Sequence, residues 1–581
     1  YITNTLFLYR QTMILSVKNS KIKGIYRSVS NFCNLNKIKN VNYINKKREK
    51  VVILGSGWGG IHFLLNIDFQ KYDVTLISPR NYFTFTPLLP CLCSGTLNVD
   101  ACSENIETLL KKNKISGKYL KLECTDIVYK DKYIKCKDNV NNNEIKINYD
   151  YLVISVGAKT NSFNIKGVDK YAFYIKDIID ALKIRTKFIS NLEACIKGIK
   201  AGAVTNTITN DSSSSISDSS SSIGDSSSSI GDSSSSISDD LAKKMLHIVV
   251  VGGGPTGVEV AAELADFVNK DIKNKYKEIY KYISISIIEG GNNLLPTFTQ
   301  NISKFTEKIF KNKLNINVYT NYHVIEIDEN NFYIKSSINK NEEHKKIPYG
   351  IIIWASGLAQ TPLINNFIKK IPEQENNKNL KVNQYLQIIG IKPNNIYAIG
   401  DCKQISPINS HEHVNEIINC LGNSKITSDV LKQKSKELSN IFPQLSDTKW
   451  DYNKNKKSEM SIKELQEYLF MIDKNYKSPP PTAQNAKQEA FYLSNIFNNY
   501  LYNSNSNGNT IPPFIEKWKG SLAYVGNHQV VAHLPFYEIK GGPFSFTFWK
   551  IVYMQMLLTW KSRINFIFSF LRTKIYGRPF I

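Results

Sequence analysis

Acidic residues are missing from both ends of this 581-residue chain. Residues 1–48 carry ten Lys and Arg with no Asp or Glu, and residues 541–581 carry six cations, again with no acid. Those two ends hold most of the formal net charge of +24. The long middle is therefore nearly neutral for its size, which argues against a general grip on polyanions and excludes nucleic acid as the expected partner. Cysteine is scarce, nine in all, which excludes a disulfide scaffold. Long apolar runs are scarce too. Near the carboxyl end the longest uncharged stretch is Ile551 to Trp560, about half of the ~20 residues a membrane-spanning helix needs. The only close histidine pair, His411-Glu412-His413, lacks cysteine partners and helical spacing, so no metal site is expected. What remains is an ordinary globular composition, 42% hydrophobic and 21% charged, long enough for about four domain-sized units.

The acid-free start, rich in cations and hydroxyls, has the composition of a mitochondrial presequence, the alternative being a plain basic tail. The first core strand follows it. Val51 to Leu54 run into Gly55-Ser56-Gly57-Trp58-Gly59-Gly60 and a helical pattern. Gly55 permits the turn, Gly57 lets backbone approach a pyrophosphate, Gly60 lets helix and strand touch, and the helix start supplies N–H donors. A second strand, Asp73 to Ile77, ends not in a ribose-binding acid but in Ser78-Pro79-Arg80. A second loop repeats the setting: His247 to Val251, then Gly252-Gly253-Gly254-Pro255-Thr256-Gly257, then a small-residue helix containing Glu259. Here the later strand does end in an acid, Glu289, which suits both ribose hydroxyls of NADH and repels the 2′-phosphate of NADPH.

One glycine loop is weak evidence, whereas two in one chain point to two dinucleotides. Three more apolar strands end in small residues: before Val156-Gly157-Ala158, before Ala355-Ser356-Gly357, and at Gly400-Asp401. Small residues there let a ligand lie on the backbone, and an Asp can bind a polyol such as a ribityl chain. Taken singly, each is equally well a tight turn after a buried strand.

In that order the motifs resemble the glutathione-reductase-like flavoproteins, an α/β fold with two Rossmann-like dinucleotide-binding domains. The resemblance implies non-covalent FAD on the first loop and NADH on the second, with Gly400-Asp401 closing the flavin site. A dithiol enzyme of that fold would need CxxxxC, and the nearby cysteines read Cys91-Leu92-Cys93. Three stretches narrow the resemblance to the mitochondrial branch of the type II, non-proton-pumping NADH:ubiquinone oxidoreductases. These are Ser78 through Thr86-Pro87-Leu88-Leu89-Pro90, Gly252 through Leu264, and Pro480 through Ala490, which holds the AQxAxQE pattern Ala483-Gln484-Asn485-Ala486-Lys487-Gln488-Glu489.

The resemblance implies FAD contacts at Gly55, Gly57, Gly59, Gly60, Ser78, Pro79, Arg80, Thr86, Pro87, Leu88, Leu89, Gly157, Ala158, Gly400, Asp401 and Ala483. It implies NADH contacts at Gly252, Gly253, Gly254, Pro255, Thr256, Gly257, Glu259, Glu289, Ala355 and Gly357. Gln484 and Gln488, at i and i+4 on one helix face, are the expected quinone contacts; without the family match they read as an exposed helix. Glu259 is expected to tune the site or handle a proton. The expected enzyme passes two electrons from NADH to ubiquinone as a homodimer at the mitochondrial inner membrane surface. A sulfide:quinone oxidoreductase, which would need reactive paired cysteines, and an apoptosis-inducing-factor-like signalling flavoprotein are the alternatives.

The expected domain order is 1–48 presequence, 49–165 FAD-binding, 166–375 NADH-binding, 376–510 FAD-binding again, and 511–581 membrane-anchoring. Within the second domain, four serine-rich seven-residue units begin at Asp211, Asp218, Asp225 and Asp232. Each has a single apolar residue, too few for a coiled-coil seam, so 205–240 is expected to be a disordered insertion. Residues 425–478 read as partly helical with no chemistry. The carboxyl end mixes aromatic, aliphatic and basic residues, with Trp549, Lys550, Trp560, Lys561 and Arg572 expected at an anionic lipid surface. Its cations fit two helices broken near Ser562 to Asn565 better than one. A buried terminal helix or a dimer interface is the alternative.

Overall fold

The computed structural model describes residues 48–138, 141–211, 238–339, 341–422, 426–446, 459–501 and 511–580. The chain divides after Arg48, and Glu49–Ile581 forms one unit. The presequence expected over 1–48 lies outside the described residues save Arg48, as does most of the serine-rich segment, 212–237.

The chain begins with β1 (Glu49–Leu54), α1 (Trp58–Asn66), β2 (Tyr72–Ile77), α2 (Leu89–Ser94), β3 (Lys118–Leu120) and β4 (Tyr151–Ile154). It then builds β5 (Phe173–Tyr174), α3 (Ile178–Asp211), β6 (His247–Val251), α4 (Pro255–Asp266), β7 (Ser284–Glu289), β8 (Ile316–Thr320) and β9 (Ile351–Trp354). It returns through β10 (Ile396–Ala398), α5 (Ser428–Leu438), α6 (Ile462–Asn475) and α7 (Ala483–Ile496). The last elements are β11 (Ser521–Tyr524), β12 (Val530–His533), β13 (Glu538–Lys540), α8 (Ser545–Met556) and α9 (Trp560–Tyr576).

Two five-stranded parallel sheets result, in the orders β10-β4-β1-β2-β3 and β5-β9-β6-β7-β8. Their central strands, Val51 to Leu54 in β1, His247 to Val251 in β6 and Ile351 to Trp354 in β9, are buried throughout. Continuous apolar runs are what helix-covered parallel strands require. The first sheet is completed by β10, about 240 residues after its neighbour β4, because the whole second sheet is inserted between them. An antiparallel pair, Lys159–Thr160 with Leu358–Ala359, ties the outgoing and returning crossings together.

Three expectations are corrected here. Residues 205–211 are helical, because α3 continues without a break to Asp211. The break in the carboxyl-terminal helices falls at Leu557–Thr559, earlier than the charge pattern implied. Thr559 caps α9 through the Ser562 amide, and both hydroxyls donate to the buried Glu104 carboxylate. Trp549 is a core residue, 1% exposed, stacked among Phe546, Tyr553 and Phe566, so it cannot meet lipid. Lys550 lies over the Phe546 and Phe570 rings instead of extending outward.

Candidate active site

The carboxyl ends of the two sheets open into one cleft of about 2490 Å³. That exceeds the ~300–1,000 Å³ of an ordinary small-molecule pocket and leaves room for more than one ligand. The two glycine loops enter it in the same way. Gly55 and Gly252 have φ of +102° and +111°, conformations open to glycine. A Cβ at Gly60 would lie 1.9 Å from the Gly55 carbonyl, and one at Gly257 equally close to the Gly252 carbonyl. These two glycines therefore let each helix touch its strand. A Cβ at Gly57 or Gly254 would meet nothing within 4 Å. Both begin a helix with no side chain capping it, so the first-turn amides of α1 and α4 face open space. That is the arrangement a pyrophosphate needs.

Most of the expected contacts line this cleft. From the first loop and its surroundings come Gly55, Gly57, Gly59, Ser78, Pro79, Arg80, Thr86, Pro87, Leu89, Gly157, Ala158, Gly400, Asp401 and Ala483. From the second come Gly254, Pro255, Thr256, Glu259, Ala355 and Gly357. Leu88 does not: it is fully buried in the core beneath Thr86 and Pro87. Gly60 and Gly257 stand behind the loops for the steric reason above. Glu289 accepts from the Gly253 amide at 2.6 Å and the Gly291 amide at 2.7 Å, which fixes its carboxylate beside the second loop.

Where a ribose acid is missing, hydroxyls and an ion pair stand. Ser78 Oγ is 2.9 Å from Ser56 Oγ and accepts from the Arg80 amide. Arg80 reaches Asp177 at 2.6 Å, and Asp177 also accepts from Thr84. Asp401 is held by Lys176 at 3.3 Å. Asp177 and Lys176 lie outside the motifs.

At the far end, α7 brings Gln484, Lys487, Gln488 and Phe491 to the cleft opposite Trp518, Lys519, Leu522 and His533. Thr482 caps α7 by accepting from the Asn485 amide. Gln484 and Gln488 do share a face, but they differ in use. The Gln488 amide is paired twice with the Lys517 backbone, donating at 3.1 Å and accepting at 3.0 Å, so it clamps the loop that carries Trp518 and Lys519. Burial, with the Lys519 charge nearby, lowers the pKa of Lys487. On the adjoining α1, burial and Lys487 hold His62 neutral, at about 3. This end thus carries the aromatic side chains of Phe491 and Trp518.

Two sets of buried polar contacts reach beyond the motifs. Glu489, the final residue of AQxAxQE, pairs with Lys403 at 2.7 Å and accepts from the Gly400 amide at 2.7 Å. The quinone-like motif is thereby bonded to the Gly-Asp turn 89 residues away. On α4, Glu259, Glu263 and Asp266 are all buried along one side. Glu263 accepts from Ser94 and Thr96 and meets Arg578 at 3.5 Å, while Asp266 accepts from the Tyr524 hydroxyl. Glu259 accepts from the Tyr524 amide at 3.0 Å. Burial, with Glu263 adding, pushes its pKa up to about 8, so a carboxyl lining the cleft keeps its proton at neutral pH.

Cys91 and Cys93 are buried on α2 and do not line the cleft. His411 bonds Asp473 at 2.7 Å as part of the packing between Ser410 and α6.

Residues 49–419 match the family described as pyridine nucleotide-disulphide oxidoreductase. Residues 412–476 match the PfNDH2 helical insertion domain and 518–579 the NDH2 C-terminal domain. The segment that showed no chemistry in the sequence is thus an insertion with its own apolar core, including Leu431, Leu465 and Leu469. Among curated proteins, the external alternative NAD(P)H-ubiquinone oxidoreductase B2, mitochondrial, of Arabidopsis thaliana is 32% identical over 566 residues, covering 92% of this chain and 90% of that protein. A probable mitochondrial NADH-ubiquinone oxidoreductase of Schizosaccharomyces pombe is 28% identical, covering 91% and 83%. The solved structure of NDH2 from Plasmodium falciparum in complex with NADH is 62% identical, with a TM-score of 0.81, covering 92% of this chain and all of that one. The sulfide:quinone oxidoreductase of Aquifex aeolicus shares the fold at 16% identity and a TM-score of 0.54. This chain belongs to the pyridine nucleotide-disulphide oxidoreductases and, among them, to the type II NADH:ubiquinone oxidoreductases.

Proposed function

We propose that this enzyme carries electrons from NADH to ubiquinone in a single cleft on the surface of the mitochondrial inner membrane, with non-covalent FAD between the two substrates. The observation that carries the reading is the convergence of three separate features on that cleft: two open, uncapped glycine loops and the aromatic end bearing Gln484. The residues fit FAD on this chain's own geometry, since the space over Gly57 and Gly157 is open and Asp401 stands at the cleft wall. Bound there, the flavin supplies two-electron acceptance from nicotinamide and donation to quinone.

The protein's own residues do the rest. Amides at the starts of α1 and α4 hold the pyrophosphates, and Glu289, fixed by the Gly253 and Gly291 amides, takes the NADH ribose hydroxyls. Gln484 offers an uncharged amide to a quinone carbonyl, and Gln488 shapes that end by holding Lys517. Glu259 keeps a proton at neutral pH for delivery into the cleft.

The membrane reading is supported by α9. Its protein side carries Ser562, Phe566 and Ser569, whereas Trp560, Ile564, Ile567, Phe568, Leu571 and Ile575 form an exposed stripe. A helix with its aliphatic side outward and cations but no acids in its own sequence suits an anionic lipid surface. Among the described residues no helix is long and apolar enough to cross a membrane. We retain the homodimer on the apolar surface left at Phe536 and Tyr537, which sedimentation of the detergent-solubilised protein tests.

The deciding experiment is NADH oxidation by the purified protein with a short-chain ubiquinone, beside NADPH and sulfide as donors, with the released flavin identified by chromatography. Turnover with NADH and one FAD per chain is expected. A flavin that NADH bleaches but quinone cannot recolour would transfer the reading to a signalling flavoprotein.

A further inference from the structure

Eight described cysteines are free thiols, and two of them face each other. The strands Glu123–Val128 and Tyr133–Lys137 pair antiparallel, and their register sets Cys124 directly opposite Cys136. Residues so placed hold their Cα atoms about 4.5–5.5 Å apart, within the ~4.4–6.8 Å that a disulfide spans. The two thiols already lie within hydrogen-bonding reach of each other, and the Cys124 S–H also reaches the Asp126 carbonyl at 3.5 Å. They differ in access. Cys136 is fully buried, whereas Cys124 is partly exposed and belongs to residues 122–125, which line the large cleft just after the strand β3 that pairs with β2. The bond between the thiols lowers the pKa of Cys136 against its burial and, ahead of burial, raises that of Cys124. One proton is thus shared by the pair, and the other leaves more readily than from a lone buried thiol. Cys93, Cys102 and Cys402 show the contrast, since burial raises the pKa of each.

We propose that Cys124 and Cys136 form a modification site, a dithiol that a small hydroperoxide such as hydrogen peroxide oxidises to a disulfide across the two strands. The Cys124 thiolate, with the shared proton left on Cys136, attacks one oxygen of the peroxide. The O–O bond breaks, Cys124 becomes a sulfenic acid, and the leaving hydroxide takes up the proton released earlier as water. The Cys136 sulfur then attacks the Cys124 sulfur, the S–O bond breaks, and the departing hydroxide takes the Cys136 proton. Two thiols give up two electrons and two protons, and one peroxide becomes two waters. The order follows from exposure: the peroxide meets Cys124 first, and Cys136 needs no access to solvent to close the bond. The disulfide fastens the two strands where they meet the cleft wall, and a thiol reductant releases it. This inference does not depend on which substrates the cleft takes.

Treatment of the full FAD-loaded protein with hydrogen peroxide tests the site, with dimedone present or absent to trap sulfenic acid, followed by alkylation and peptide mass mapping without reduction. The expected product is a peptide joining Cys124 to Cys136, lighter by two hydrogens, with both thiols lost to alkylation and restored by dithiothreitol. Cys420, a partly exposed thiol on the helix Val414–Leu421, should give at most a dimedone adduct. Cys136→Ser, checked for folding by its flavin content and melting, should carry the dimedone adduct on Cys124, because the sulfenic acid has lost its partner. Alkylation of both Cys124 and Cys136 after peroxide, under conditions where Cys420 reacts, overturns the proposal. A dimedone adduct on wild-type Cys124 that persists without a cross-link overturns it equally. The wild-type cross-link establishes the pair even where Cys136→Ser fails to fold.

Discussion

Lys403 and Glu489 form an ion pair of 2.7 Å with side chains only 2% and 1% exposed, and the second carboxylate oxygen takes the Gly400 amide. This one contact joins the helix bearing Gln484 and Gln488 to the turn bearing Asp401, so the two glutamines and the Gly-Asp turn share a rigid link. Burial raises the Glu489 pKa, with Lys403 and the Gly400 amide working against it. Lys403→Met would leave that carboxylate buried without its cation and should cost about 3–5 kcal/mol. The double variant Lys403→Met/Glu489→Leu should recover most of it. Chemical unfolding of the FAD-loaded protein measures both; a cost below ~1 kcal/mol, as for an exposed pair, would contradict this account.

The two glycine loops separate packing from binding. Gly60→Ala places a methyl 1.9 Å from the Gly55 carbonyl and should prevent α1 from docking on β1, so little folded protein is expected. Gly57→Ala meets nothing in the protein, so it should fold and melt normally without added cofactor yet bind FAD at least tenfold more weakly. Flavin retained through gel filtration reads this out. Full retention by Gly57→Ala would remove the pyrophosphate from that loop.

Much of this was legible in the chain because it depends on local rules. A buried parallel strand needs an apolar run, a tight turn needs glycine, and a bound dinucleotide needs both in a set order, so Val51 to Gly60 and His247 to Gly257 declare themselves. The motif at Ala483 was legible only by resemblance, since two glutamines on a helix carry no chemistry alone. Contacts between distant segments were not legible. Lys403 with Glu489, Arg578 with Glu263, and Arg80 with Asp177 are ordinary charged residues until the fold brings them together. Trp549 misled because aromatic and basic residues look alike whether a helix lies on lipid or packs beneath another helix. Only the position of Thr559 over Glu104 decides which side of the pair faces inward.

Cofactor choice should follow Glu289. Its carboxylate is pinned by two amides, so it cannot swing aside for a 2′-phosphate. Glu289→Ala should lower kcat/KM for NADH and raise it for NADPH, narrowing the ratio at least tenfold, about 1.4 kcal/mol. Steady-state kinetics with both donors measures it. An unchanged ratio would place the ribose elsewhere.

Quinone reduction should divide at Gln484. Gln484→Ala removes an amide from the aromatic end and leaves the NADH loop untouched. In stopped flow, bleaching of the flavin by NADH should keep its rate while reoxidation by ubiquinone slows about tenfold, the loss of one hydrogen bond to a substrate carbonyl. Equal slowing of both half-reactions would show that Gln484 supports the flavin instead.

Glu259 should link pH to both stability and turnover. Its pKa is about 8 in the fold against an ordinary 4.5. Below pH 4.5 folded and unfolded chains both hold the proton, and the fold has its full stability. As pH rises from 4.5 towards 8 the unfolded chain loses the proton that the folded one keeps, so stability falls by up to about 1.4 kcal/mol per pH unit. Above 8 the carboxylate is charged in the interior beside Glu263, and the loss is complete. Glu259→Gln keeps the shape and the Tyr524 amide contact without a titrating proton. Its unfolding free energy should therefore depend less on pH, and relative to wild type it should gain a few kcal/mol between pH 5 and pH 9. Turnover separates the proton role from the structural one. Wild-type quinone reduction should decline as pH passes about 8, whereas Glu259→Gln should be slower at pH 7 and flat through that range. A variant that kept the wild-type alkaline limb would show that another group carries the proton.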